Sequence, residues 1–86
     1  MLQIVVAGHC FGCAEAERLR AALASSMPAV PVEWIDLEVP ESVRPPGVVA
    51  VPAYLVDGQL AFTGNPTLQD LQSRLLSASP EVRDGV

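Results

Sequence analysis

Two cysteines, Cys10 and Cys13, are the chain's only thiols, and Phe11 and Gly12 stand between them. A CxxC spacing serves three chemistries: a dithiol that cycles with a disulfide, half of a tetrahedral zinc site, or a two-thiolate seat for Cu(I). A structural zinc needs two further ligands, yet only His9 is at hand, beside Cys10, and there is no second cysteine pair. Structural stapling is a poor reason for the pair, because closing so short a loop removes little unfolded-state entropy. A pair of buried free thiols is the plainest alternative.

If the pair lies where a strand turns into a helix, unpaired N–H groups and the helix dipole stabilise an anion there by roughly 0.3–2 kcal/mol. Cys10 is then the candidate nucleophile. Cys13, one turn later on the same side of the helix, is the candidate resolving residue that attacks a mixed disulfide formed at Cys10. His9 either adds positive charge beside Cys10 or is a polar loop residue. Phe11 either contacts a partner protein or folds back onto the domain edge. No metal and no separate cofactor is expected, the redox group being the Cys10–Cys13 disulfide itself.

The elements that must position these sulfurs are legible in the pattern. Residues 2–7 are nearly continuous in apolarity and rich in β-branched side chains, which predicts a central strand covered on both faces. After Gly8 and His9, the run from Cys13 to about Ser25 holds strong helix formers with Ala16, Leu19 and Leu23 on one face, and Glu15 can pair with Arg18. Pro28 and Pro31 end that helix, and residues 32–37 alternate as a second strand, parallel to the first. Pro40, Pro45 and Pro46 leave residues 38–47 as loop, with at most one helical turn. The apolar runs 53–56 and 59–63 flank Asp57-Gly58, a strong hairpin signal. Asn65 ahead of Pro66, or Thr67 with Asp70, caps a last helix lined by Leu68, Leu71 and Leu75 that fades near Ser77. Trp34 and Tyr54 are expected in or beside the core. Gly64 either permits close backbone approach near the cysteines or ends its strand.

The 86 residues fit one domain, expected over 1–78, with a polar tail at 79–86. Net charge is −5 and all five basic residues are arginines spread along the chain, so nothing forms a basic stripe for nucleic acid. No apolar run approaches the ~20 residues a bilayer span requires, so no membrane partner is expected. Two closely spaced cysteines are not the framework of a secreted disulfide-stapled domain, and a cytoplasmic monomer is the expectation.

With its CFGC motif after the first strand and Val51-Pro52 at the hairpin entrance, the chain resembles the thioredoxin-like superfamily, in particular its short glutaredoxin-sized members, over about residues 2–77. The resemblance implies an α/β minimal thioredoxin fold of order β-α-β-(loop or short helix)-β-β-α, a mixed central sheet flanked by helices. It further implies a cis peptide at Pro52 facing the cysteines, with Val51 offering backbone groups to an extended substrate segment. The implied activity is thiol–disulfide exchange with protein or small-molecule disulfides, supplied by a separate reductant. Three departures stand out. Gly12 replaces the proline usual in thioredoxins, residues 2–7 lack their buried acid, and Ala50-Val51-Pro52 with Thr63-Gly64-Asn65 differs from the glutathione-holding segments of glutaredoxins.

The first 35 residues also resemble a heavy-metal-associated domain, a ferredoxin-like fold that carries Cu(I) on a CxxC. That fold needs βαβ after the second strand, whereas the hairpin signal gives ββα. A thioredoxin fold that senses redox state without turnover is a third reading.

Overall fold

A computed structural model describes residues 1–8 and 12–77 of the chain. Its elements run β1 (Leu2–Val6), α1 (Cys13–Ser26), β2 (Val32–Asp36), β3 (Ala53–Val56), β4 (Gln59–Thr63) and α2 (Leu68–Ser77). The strands form one sheet in the order β2-β1-β3-β4, with β1 parallel to β2, antiparallel to β3, and β3 antiparallel to β4. This is the thioredoxin-like mixed sheet. The second half is ββα, so the ferredoxin-like alternative is overturned: no helix lies between β3 and β4.

The apolar run of β1 is explained by its central place, since alternate side chains enter two different cores. Leu2, Ile4 and Val6 join Tyr54 and Val56 beneath Ala16, Leu19 and Leu23 of α1 and Leu71 of α2. Val5, Ala53 and Leu55 face the other way and are covered by Val48 of the long loop, with Ile35, Leu37 and Val51 around them. Both helices therefore pack on one face, and the proline-rich segment after β2 covers part of the other. That segment forms turns and no helix. Each fully buried Leu or Ile contributes roughly 1.5–3 kcal/mol relative to exposure.

Local signals hold at the turns. Asp57 and Gly58 both adopt positive φ, 51° and 83°, the geometry that a two-residue hairpin between right-twisted strands requires. Glu15 and Arg18 form the expected pair at 2.7 Å on the exposed face of α1. Thr67, rather than Asn65, caps α2: its Oγ1 accepts the Asp70 N–H at 3.1 Å. Residues 9–11 and 78–86 lie outside the described residues, and with them His9, Cys10, Phe11 and the expected tail.

Candidate active site

Cys13 is the first residue of α1, and Gly12 is its N-cap with φ −145° and no side-chain cap. The Gly12 carbonyl accepts the Ala16 N–H at 3.0 Å, which closes the first turn. A helix start of this kind presents unpaired backbone N–H groups to whatever precedes it. Cys13 is half-buried, and it is not a free thiol.

Three segments converge on Gly12. From the β3 entrance comes Pro52, joined to Val51 by a cis peptide bond. A Cβ on Gly12 would lie 3.4 Å from the Cγ and Cδ atoms of the Pro52 ring. From the β4–α2 connection comes Asn65, whose Nδ2 donates to the Gly12 carbonyl at 3.0 Å. From β3 comes Tyr54, whose hydroxyl donates to Asn65 Oδ1 at 2.6 Å. The Pro52 carbonyl accepts the Gly64 N–H at 2.7 Å, tying the last two segments together.

Gly64 has φ 86°, and a Cβ there would meet nothing within 4 Å. Its glycine answers to the left-handed backbone, not to crowding. Tyr54 is fully buried and packs in the core as its strand position suggests. Burial, with a smaller contribution from the Glu15 carboxylate, pushes its phenol up from 10.0 to about 12.

Two grooves flank this junction. One, of about 440 Å³, is lined by Cys13 with Val6, Gly8, Trp34 and the carboxylates Glu17 and Asp36. Trp34 borders it and carries the Arg20 guanidinium 5.0 Å from its ring centre. The other, of about 320 Å³, runs along Val51 between Val48 and Val49 and the side chains of Glu38 and Arg44. A larger hollow of about 520 Å³, between β2 and the proline-rich loop, contains Glu33 and Glu41 but neither Cys13 nor Pro52. Chemistry favours the groove that reaches Cys13, whatever the relative sizes.

The structure thus brings Cys13, Val51, Pro52 and Gly64 to one end of the sheet, while Cys10, Phe11 and His9 fall outside the described residues. Sequence reasoning offered Asn65 a capping role as the alternative to Thr67 and missed its reach to Gly12. One signal was available: a tyrosine on a buried strand needs a partner for its hydroxyl. Among the described residues, no helix is long and apolar enough to cross a membrane.

Comparison with known proteins agrees with this geometry. Residues 1–76 match the family model described as Thioredoxin domain. A protein named Thioredoxin from Methanocaldococcus jannaschii is 33% identical over 72 residues, covering 81% of this chain and 85% of that protein. No solved structure matches. A helix opening at Cys13, a proline loop packed on its N-cap and a match that spans nearly the whole chain together establish that this chain belongs to the thioredoxin-domain family.

Proposed function

We propose that this chain is a thiol–disulfide oxidoreductase in which Cys10 is the nucleophile and Cys13 the resolving residue. The observation that carries the reading is Cys13 at the first position of α1, lining an open groove, with its N-cap Gly12 packed against Pro52. Membership of the thioredoxin-domain family supports it.

In the reducing direction the Cys10 thiolate attacks one sulfur of a partner disulfide, the partner's S–S bond breaks, and the leaving sulfur takes up a proton. Cys13 then loses its proton and attacks the Cys10 sulfur, the mixed disulfide breaks, and the second partner sulfur is released and protonated. Two electrons pass from the chain to the partner, which leaves as a dithiol. The chain leaves as the Cys10–Cys13 disulfide and is reset by a separate dithiol reductant. Val51 offers backbone groups to an extended substrate segment, while His9 and Phe11 are the nucleophile's neighbours in sequence. The working form is a cytoplasmic monomer acting on protein or small-molecule disulfides.

Insulin reduction driven by dithiothreitol tests this. Wild-type chain should accelerate precipitation of the insulin B chain, Cys10→Ser should abolish the acceleration, and Cys13→Ser should accumulate the mixed disulfide. Reversible oxidation that shifts the mass by two protons without any acceleration would favour the redox-sensing reading instead.

A further inference from the structure

The Gly12 carbonyl can only accept, so the Asn65 group that faces it at 3.0 Å must be the amide nitrogen. Asn65 Oδ1 then faces Tyr54, and the phenol must donate across the 2.6 Å that separates them. The direction of both bonds is fixed, and every link is polar-satisfied. Tyr54 is anchored in the core with 0% exposure, while Asn65 is half-buried on a loop. A rigid strand residue thus orients a loop side chain, which grips the backbone between the two cysteines. A side chain on Gly12 would push this amide aside, because a Cβ there would lie 2.7 Å from Asn65 Nδ2.

We propose that Asn65, oriented by Tyr54, is a positioning residue that sets the dithiol–disulfide equilibrium of this chain. The proposal rests on the reading of Cys10 and Cys13 as a redox couple. Forming the disulfide closes a small ring that includes Gly12, and ring closure of any chain costs conformational entropy. Holding the Gly12 carbonyl costs less ordering in the closed ring than in the open dithiol, so the bond favours the oxidised form. Oxidation by a partner disulfide forms the Cys10–Cys13 bond, breaks the partner's S–S bond, and delivers two electrons and two protons to its sulfurs.

One neutral hydrogen bond of net ~0.5–1.5 kcal/mol corresponds to about twofold to tenfold in an equilibrium constant. Asn65→Ala should therefore lower the constant for oxidation by about that factor, and a tenfold change is ~30 mV towards a more oxidising couple. Tyr54→Phe keeps the ring and removes the donor, and should move the constant the same way by a smaller factor. In the double variant, Tyr54→Phe should add little to Asn65→Ala, since the relay acts as one unit.

The experiment equilibrates each protein in graded mixtures of reduced and oxidised dithiothreitol, traps free thiols with a maleimide and reads the fraction oxidised by mass. A constant that falls in Asn65→Ala and Tyr54→Phe, with the two effects overlapping in the double variant, supports the proposal. Should both variants melt at lower temperature yet keep the wild-type constant, the relay is merely structural and the proposal is overturned. If Asn65→Ala does not fold, Tyr54→Phe decides alone by the same criterion. A wild-type chain with no reversible two-electron couple would overturn the redox reading, and the relay's role with it.

Discussion

The Gly8 N–H donates to Asp36 Oδ1 at 2.9 Å, so the end of β2 holds the backbone that leaves β1 towards the motif. The same oxygen accepts the Glu38 N–H at 2.9 Å, which brings Glu38 across Gly8. Gly8 has φ 55°, and a Cβ on it would run into the Glu38 carboxylate. Glycine is therefore favoured first by the left-handed backbone and second by the Glu38 carboxylate lying against it.

Gly8→Ala should cost about 1–3 kcal/mol, measured by urea unfolding. Glu38 is exposed, so its side chain can swing away and the strained φ is the larger part. Combining Gly8→Ala with Glu38→Ala should recover only the crowding part. Stability equal to wild type in the single variant would remove the argument.

Gly12 occupies the position where thioredoxins usually carry proline, and its geometry explains why proline does not suit this chain. Its φ of −145° is far from the roughly −65° that a proline ring imposes. Gly12→Pro should therefore destabilise by on the order of 2–3 kcal/mol. Gly12→Ala tolerates the backbone but displaces Asn65, at a cost of about 1 kcal/mol. Asn65→Ala should largely absorb the second effect and leave the first in place, which thermal unfolding of wild type, the three single variants and the two double variants would reveal.

Tyr54 makes stability fall at alkaline pH. Its phenol ionises near 10.0 in the unfolded chain and only at about 12 in the fold. Below pH 10 both states are protonated and the full stability is present. Between pH 10 and 12 the unfolded state releases its proton first, so stability should fall by on the order of 2 kcal/mol. The chain has no lysine and a single tyrosine, which keeps this window free of other side chains of those types. Tyr54→Phe should flatten the decline, and tyrosinate absorbance near 295 nm should rise late in native protein and early in urea.

Thr67 fixes where α2 begins. Loss of its bond to the Asp70 N–H in Thr67→Ala should cost about 1 kcal/mol, while Thr67→Ser should be close to neutral. Because α2 delivers Leu71 to the core, the loss should appear in global unfolding and not only in helix fraying. Chemical denaturation followed by circular dichroism separates the two.

Much of the frame is local and so readable along the chain. β1 announced itself through a nearly continuous apolar run, interrupted at Gln3, β3 and β4 through Asp57-Gly58, and α1 through helix formers that place Ala16, Leu19 and Leu23 on one stripe. The start of α2 was ambiguous because Asn65 and Thr67 both have capping chemistry. Their sequence neighbourhoods do not distinguish them. Only the tertiary approach of the Tyr54 hydroxyl, which takes the Oδ1 that capping would use, and of the Gly12 carbonyl, 53 residues earlier in the chain, engages Asn65 elsewhere. Gly64 reads in sequence either as a point of close backbone approach or as a strand end; its φ of 86° is what demands glycine, while its N–H reaches the Pro52 carbonyl at 2.7 Å.

What the sequence by itself determined is the order of elements, the CxxC whose second cysteine opens α1 and the proline ahead of β3, because each depends on side-chain type and short-range spacing. The tertiary structure decided what touches Gly12: Pro52, Asn65 and, through Asn65, Tyr54. It also decided that Asp36 binds the backbone leaving β1 and that both helices share one face of the sheet. Those relations join residues tens of positions apart, and they follow from how strands pair and helices pack, which no local pattern encodes.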